Sequence, residues 1–130
     1  MFTSPMEPLT SAQIAQYRSA LATVPDALLA LDMIEDCEGD LEDAAIALAL
    51  QVGQEPDRSD LWLDGLAKRW RVTLCDADVQ AYIDSDRLAA AAQTLVNAIN
   101  LSPRLVTLII IYAHRHGIAQ FCQALNITQD

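Results

Sequence analysis

The chain has 130 residues, which is enough for one domain with a single buried core. Hydrophobic residues make up 52% of it but aromatic residues only 5%, so the core must consist mainly of alanine and leucine, which favour helices. The net charge of −10 repels nucleic-acid phosphates and anionic membranes, and it favours a basic partner. We therefore predict an all-α fold, a compact single-domain bundle of six or seven short helices with no nucleic-acid and no membrane partner.

Capping residues mark the helix starts in the first half of the chain. Thr10 and Gln13 stand three residues apart, which is the spacing of a capping box. Pro25 is typical of a first helical turn, and Asp40 is a favourable N-cap residue. Together with the apolar periodicity, these residues predict helices over residues 11–23, 25–37 and 41–52.

Two segments lack helix signals. Residues 1–9 contain neither a helix pattern nor a secretory leader, and we expect a flexible N-terminus there. Residues 54–59 contain Pro56 among small polar residues, which favours a loop. The single domain over residues 1–130 then consists of an N-terminal three-helix part and a C-terminal helical part joined by this loop.

Three further helices precede the most apolar segment. Trp62, Leu66 and Trp70 are spaced to lie on one face of a fourth helix. Residues 76–84 predict a short fifth helix, and Ser85 is placed to begin a sixth that carries four consecutive alanines. Those small side chains would let a neighbouring helix approach closely.

The most apolar stretch follows, over residues 105–113. Ser102 and Pro103 are a strong N-cap and first-turn pair, and Gly117 is a favourable stop, so we predict a helix near 103–116. A transmembrane helix needs about 20 apolar residues, so this stretch is too short to span a bilayer. We therefore predict a central, buried helix, followed by a last short amphipathic turn or two.

Residues 66–83 resemble a DNA-binding helix-turn-helix. Most of the pattern fits, but Arg71 stands where the turn usually has glycine. The next predicted helix presents Asp76 and Asp78, whose carboxylates repel the phosphate backbone. We interpret the segment as a structural helical corner and predict no nucleic-acid binding.

The sequence DCEGDLEDAAIALAL, residues 36–50, resembles the junction between the second and third helices of ubiquitin-associated (UBA) and CUE domains. The resemblance extends at most over residues 11–53. The first loop of those domains carries a Met-Gly-aromatic or Met-Phe-Pro element that forms their recognition patch, whereas this chain has Ala-Thr-Val-Pro at residues 22–25. The resemblance therefore implies a helical hairpin but no ubiquitin-binding site.

Two groups of residues suggest metal binding, and neither has a suitable geometry. Glu35–Asp43 concentrates six carboxylates, but a calcium-loop register with Gly39 in sixth position puts no oxygen ligand first or twelfth. His114, His116 and Cys122 offer zinc ligands, yet residues 114 and 116 are about 200° apart on a helix. We predict no metal site and no cofactor.

Catalytic patterns are weak in this sequence. Cys122 and His114 could meet across the Gly117 turn, but no acid in the last third of the chain before Asp130 would orient the imidazole. There is no phosphate-cradling glycine loop, dinucleotide fingerprint or G-x-S-x-G motif. We predict no catalytic residues, and a small metal-dependent or thiol enzyme is the least favoured class.

The three cysteines, Cys37, Cys75 and Cys122, are an odd number at wide spacing. Such usage suits a reducing compartment better than a disulfide framework. We expect free thiols and a cytoplasmic location.

The last third of the chain has much apolar surface and few charges, since residues 87–129 contain no acid. Two apolar helices offer more hydrophobic surface than a small bundle easily covers. We expect a non-enzymatic protein–protein interaction or regulatory scaffold domain, forming a homodimer through these helices. A carrier of a small apolar ligand in a helical cavity is the alternative. The predicted interaction surface comprises Trp62, Leu66, Trp70, Leu95, Val96 and Ile99.

Overall fold

The structure is a computed structural model that describes residues 7–53 and 62–128, with side chains up to Gln123. These residues form helices and no strand, which confirms the all-α class. Within these ranges nine helices form, more than the predicted six or seven. They are α1 (Ser11–Ala20), α2 (Pro25–Asp36), α3 (Leu41–Gln51), α4 (Trp62–Arg69), α5 (Arg71–Leu74), α6 (Ala77–Asp84), α7 (Leu88–Ala98), α8 (Pro103–His116) and α9 (Ile118–Thr128).

The larger number of helices has two sources. Trp70, with φ −99° and ψ 17°, leaves the helical conformation, so that α4 ends there and the single turn α5 follows. Neither glycine nor proline stands at this junction, so no sequence signal marks the break. In addition, the predicted last turn or two is a helix of 11 residues, α9.

Residues 1–6 of the predicted flexible N-terminus and the whole predicted loop at 54–59 lie outside the described residues. Leu9, in contrast, is buried, and its amide donates to the carbonyl oxygen of Gly39 at 2.9 Å. Arg115 Nη1 donates to the carbonyl oxygen of Glu7 at 2.7 Å. The segment before α1 is therefore packed between the α2–α3 turn and the end of α8.

The capping residues of the first half act as predicted. The Gln13 amide donates to Thr10 Oγ1 at 3.1 Å, and the Thr10 amide donates to Gln13 Oε1 at 2.9 Å, which completes the capping box. The Asp43 amide donates to Asp40 Oδ1 at 3.0 Å at the start of α3. These contacts join neighbours in sequence, which is why the pattern predicts them.

Of two capping predictions in the second half, the one for Ser85 is wrong and the one for Ser102 is right in position. Ser85 ends α6 rather than beginning α7, because its hydroxyl donates to the carbonyl oxygen of Ala81 at 2.8 Å. Helix α7 begins two residues after Asp86, which has a left-handed backbone with φ 63°. Pro103 lies in the first turn of α8 as predicted, but the Ser102 side chain makes no capping hydrogen bond.

Helix α8 lies within the core. Every residue from Leu105 to Ala113 is buried, including Thr107, whose hydroxyl donates to the carbonyl oxygen of Pro103 at 3.0 Å. Helices α2, α3, α4, α6, α7 and α9 all pack against α8. The apolar stretch is therefore a buried helix, as predicted, and the chain itself covers its surface.

Helices α2 and α3 form an antiparallel pair. Arg104, in the first turn of α8, lies with Nε 3.7 Å from Asp26 Oδ1 and donates through Nη1 to Gln51 Oε1 at 3.3 Å. The start of α2 and the end of α3 are therefore at the same end of the pair. Both helices pack directly on α8.

Cys75 and Cys122 form a disulfide, which corrects the expectation that all cysteines are free. Gly117, with φ 93°, turns the chain so that α9 packs back on α5 and α6. This brings the two Cα atoms to 5.7 Å, although the cysteines are 47 residues apart. Cys37 is the free cysteine of the described residues.

The cytoplasmic location is predicted from free thiols, and two of the three cysteines form a disulfide instead. It remains a prediction, because a disulfide is more common in oxidising compartments but also occurs as a redox-sensing pair. Within residues 7–53 and 62–128, none of the helices combines the length and apolar character that spanning a membrane requires.

Candidate functional site

The six residues of the predicted interaction surface do not form one exposed face. Three are buried in the core, namely Leu66, Leu95 and Ile99. Three are half-buried and pack against it, namely Trp62, Trp70 and Val96. Helix α4 packs on α3 and α8, whereas α7 packs on α6 and α8. The predicted set is thus divided between helices with different neighbours.

Homodimer formation through α7 and α8 stays a prediction. The apolar surface from which it is predicted is largely covered by the chain itself, as the burial of α8 shows. Among the described residues, the large apolar side chains that are strongly exposed are Leu29, Leu50, Val52 and Val72. None of these four lies on α7 or α8, and three of them, Leu29, Leu50 and Val52, lie on α2 or α3 or at the end of α3.

The C-terminal half of α8 carries two hydrogen-bonded networks, and the first joins it to α4. The Tyr112 hydroxyl donates to Asp64 Oδ1, and Lys68 Nζ lies 2.8 Å from Asp64 Oδ2. Burial by itself raises the pKa of Asp64, but the hydrogen bonds from Lys68 and Tyr112 outweigh it and the pKa is lowered. Burial and the adjacent Asp64 carboxylate raise the pKa of Tyr112. Near neutral pH, Asp64 is therefore ionised and Tyr112 is protonated.

Glu42 connects α3 to the start of α4. Its two carboxylate oxygens accept the backbone amides of Leu63 and Asp64 at 2.7 and 3.1 Å, which caps α4. Burial raises the pKa of Glu42, although the two amide bonds oppose the shift. A carboxyl group with a raised pKa beside one with a lowered pKa is typical of acid–base sites. Here both oxygens of Glu42 accept backbone amides, so this carboxylate acts as a helix cap for α4.

The second network joins α8 to α1 and to the α6–α7 junction. The Tyr17 hydroxyl lies 2.7 Å from Nδ1 of His114, and Nε2 of His114 lies 2.7 Å from Asp86 Oδ1. A neutral imidazole protonated at Nε2 satisfies both contacts, since Tyr17 donates to Nδ1 and Nε2 donates to Asp86. Burial raises the pKa of Tyr17 to about 12, opposed by the charge of Arg115 and assisted by that of Asp86.

The second network supplies His114 with an acid from outside the last third of the chain, where the sequence offers none before Asp130. Asp86 is 28 residues away in sequence, in a junction between helices, and no local spacing links the two. The signals that could have found the network are a tyrosine and a histidine inside otherwise apolar helices, because such polar groups need hydrogen-bond partners when they are buried.

His114 and His116 do not converge, in keeping with their predicted separation around the helix. The His116 ring lies 6.0 Å from the rings of both Tyr112 and Phe121, measured between centroids. Cys122 is bonded to Cys75 and offers no thiolate. In the part of the chain that the structure describes, no three His, Cys, Asp or Glu side chains are grouped as metal ligands.

An open groove of about 240 Å³ lies between the start of α2 and α7. Its lining residues are Val24, Asp26, Ala92, Gln93, Val96, Asn97 and Pro103. Pockets that bury a drug-sized ligand measure roughly 300–1,000 Å³, so this groove is small for that purpose. The groove therefore does not support the predicted carrier of a small apolar ligand. That function stays a prediction.

The solvent side of the α2–α3 pair has a regular arrangement of apolar and acidic side chains. Leu29 and Asp36 are seven residues apart on α2, and Asp43 and Leu50 are seven residues apart on α3. Residues seven apart share one face of a helix. All four side chains are exposed, Leu29 by 45% and Leu50 by 52%. We call these four residues the outer α2–α3 face.

The antiparallel pairing gives the outer α2–α3 face two different ends. Leu29 and Leu50 lie at the end marked by the Arg104 contacts, together with Val52, which is 41% exposed. Asp36 and Asp43 lie two turns away, on either side of the α2–α3 turn. The apolar and acidic ends are separated by about 10 Å along the helices.

No protein-family model, no curated protein and no solved structure matches this chain.

Proposed function

We propose that this protein is a protein-interaction domain, and that its outer α2–α3 face binds a basic amphipathic helix of another protein. The proposal depends on one observation: Leu29 and Asp36 share an exposed face of α2, and Leu50 and Asp43 share an exposed face of α3. Each helix offers an exposed apolar side chain and, two turns away, an exposed carboxylate.

The charge of the α2–α3 pair supports a basic partner. Residues 25–51 contain eight carboxylates and no lysine or arginine. Two arginines from other helices reach the pair: Arg18 contacts Asp32 and Glu35, and Arg104 contacts Asp26. The formal charge of the pair with these two arginines is −6. Such a surface attracts cations and raises the association rate of a positively charged segment.

The apolar end supplies the contact area. Three exposed large side chains lie there, and full burial of one such side chain is worth about 1.5–3 kcal/mol. Leu29, Leu50 and Val52 are already partly covered, so together they offer roughly 3 kcal/mol. Binding should therefore be weak and sensitive to salt, because the remaining attraction comes from exposed charges.

The spacing of the outer α2–α3 face defines the partner. A helix that lies along this surface should place a Leu-like residue over Leu29 and Leu50, and a Lys or Arg seven residues away over Asp36 and Asp43. A suitable probe is a fluorescent helical peptide with leucines on one turn and lysines two turns later. We expect saturable binding in fluorescence anisotropy, weakened by added salt.

Substitutions at the apolar end test the proposal. The double variant Leu29→Ser/Leu50→Ser should weaken peptide binding by about ten-fold or more, because it removes both apolar anchors. Val72→Ser is the matched control, since Val72 is 71% exposed on α5 and lies outside the outer α2–α3 face. Equal binding by the double variant and the control would contradict the proposal.

Substitutions at the acidic end test it separately. Asp36→Asn/Asp43→Asn should weaken binding and reduce its salt dependence, while Asp84→Asn and Asp78→Asn, at exposed positions of α6, should change it little. If all acid-to-amide variants have the same effect, the peptide responds only to net charge and the proposed face is wrong.

Self-association is a separate proposal with its own measurement. Light scattering coupled to gel filtration should report a dimer if the half-buried surfaces of Trp62, Trp70 and Val96 pair between copies. A monomer at micromolar concentration would contradict it. The high net charge of −10 opposes pairing of identical chains, which is why the hetero-partner is preferred.

A further inference from the structure

We propose that the Cys75–Cys122 disulfide is a redox-sensitive latch for α9, and that a dithiol reductant releases this helix from the rest of the fold. The disulfide joins the residue that ends α5 to the middle of α9. Within the described residues, the other covalent connection of α9 to the rest of the fold is the backbone through Gly117. Reduction thus removes the bond that ties α9 directly to the end of α5.

The connection to α8 is suited to movement. Gly117 is the single residue between α8 and α9, and its φ of 93° lies in the left-handed region. Glycine changes between such conformations at little steric cost. A Cβ added at Gly117 would meet nothing nearer than 3.9 Å, so its surroundings leave room. The junction therefore has the properties of a hinge.

Three of the described side chains of α9 are buried. Ile118, Phe121 and Cys122 are its described buried side chains, and they lie against α5, α6 and α8. The Arg71 guanidinium lies 4.8 Å from the centre of the Phe121 ring. Arg71 Nε is buried and has no hydrogen-bond partner among the described residues.

The two cysteines differ in exposure, which favours attack of the reductant at Cys75. Cys75 is half-buried, whereas Cys122 is 2% exposed. A thiolate of the reductant attacks Sγ of Cys75, the sulfur–sulfur bond breaks, and the Cys122 thiolate leaves and takes up a proton. The second thiol of the reductant then displaces Cys75 as a thiol. Two electrons pass to the protein, which gains two thiols while the reductant becomes a disulfide.

The latch is independent of the outer α2–α3 face, because α9 packs on α5, α6 and α8. It also gives the three cysteines different roles. Cys37 is the free thiol, and burial raises its pKa, assisted by the charges of Asp43, Asp40 and Asp36. A thiol of this kind is a poor nucleophile near neutral pH, so it competes weakly for the disulfide.

Hydrogen exchange with mass spectrometry tests the latch in the full-length Cys37→Ser protein. The protein purified without reductant should resist alkylation at Cys75 and Cys122 and weigh two hydrogens less than the reduced form. Dithiothreitol should then accelerate amide exchange in α9 by about ten-fold or more, with α2, α3 and α8 changed by less than about two-fold. This result supports a local release.

Three other results would overturn the proposal. They are free alkylation of both cysteines in the unreduced protein, unchanged exchange in α9 after reduction, and equal acceleration in every helix, which indicates global unfolding. The variant Cys75→Ser/Cys122→Ser gives an independent measurement and should match the reduced protein. If this variant does not fold while the reduced Cys37→Ser protein does, the reduced protein decides the question.

Discussion

The hydroxyl group of Tyr112 on the buried helix α8 donates a hydrogen bond to the carboxylate of Asp64 on α4. The Asp64 side chain is only 17% exposed and also contacts Lys68. Hydrogen bonds to charged groups stabilise proteins more than neutral ones, and a buried carboxylate that loses a donor is costly. This bond therefore fixes α4 to the core.

We expect Tyr112→Phe to lower the free energy of unfolding by roughly 1.5–3 kcal/mol, because the ring stays but Asp64 loses a donor. Tyr82→Phe is the matched control. Its ring lies under Arg87, and its hydroxyl makes no hydrogen bond among the described residues, so the loss should stay below about 0.5 kcal/mol. Urea denaturation followed by circular dichroism measures both. Equal losses in the two variants would show that the Asp64 contact is not stabilising.

Stability should fall in alkaline solution because of two tyrosines. Burial raises the pKa of Tyr17 to about 12 and also raises that of Tyr112. In the unfolded chain both groups titrate near pH 10, so above about pH 10 the unfolded state binds fewer protons than the native state. The stabilising contribution is therefore complete below about pH 10 and is lost as the pH rises through the folded pKa.

The expected decline is about 1.4 kcal/mol per pH unit for each buried tyrosine that remains protonated. Urea unfolding midpoints measured at intervals from about pH 9 to about pH 12 test it. Tyr17→Phe should reduce the slope by about half, since one of the two titrating groups is removed. The same slope in the variant and the parent protein would exclude Tyr17 as a contributor.

Asp86 should stabilise the fold through His114. Asp86→Asn keeps an oxygen acceptor for Nε2 and a residue that tolerates the left-handed backbone, so we expect a change within about 0.5 kcal/mol. Asp86→Ala removes the acceptor and should cost about 1–2 kcal/mol. Glu38, the other described non-glycine residue with positive φ, is exposed, and Glu38→Ala serves as the control. Equal effects of the two alanine variants in chemical denaturation would count against the hydrogen bond.

Replacing different glycines by alanine should change the stability of the protein by different amounts. A Cβ at Gly39 would collide with the backbone oxygen of Leu9, and its φ of 87° is also unfavourable for alanine, so Gly39→Ala should cost about 2–5 kcal/mol. Gly53, with φ 82°, has nothing within 4 Å, and only the backbone cost of roughly 1 kcal/mol applies there. Gly65 is helical and unobstructed, so Gly65→Ala should stabilise by up to about 1 kcal/mol.

Thermal unfolding ranks the three glycine variants without further assumptions. The expected order of melting temperatures is Gly65→Ala highest, then Gly53→Ala, then Gly39→Ala. A Gly39→Ala protein as stable as Gly53→Ala would show that Leu9 can move away from the α2–α3 turn at little cost.

Features that depend on neighbouring residues could be predicted from the sequence. The Thr10–Gln13 capping box and the Asp40 cap act over three residues, and both are present. Alanine and leucine content predicted the helical class, because those side chains lose little freedom in a helix. The net charge predicted a basic partner, but it did not indicate which surface would bind it.

Contacts between distant segments were decided only by the tertiary structure. Tyr17 and His114 are 97 residues apart, and Cys75 and Cys122 are 47 apart, so no local period connects them. The coverage of α8 by six other helices likewise buried one of the two apolar helices from which a dimer is predicted. The spacings of Leu29 with Asp36 and of Asp43 with Leu50 are present in the sequence. Whether these side chains point to solvent depends on which side of each helix is buried in the core. Packing decides this, and spacing alone does not.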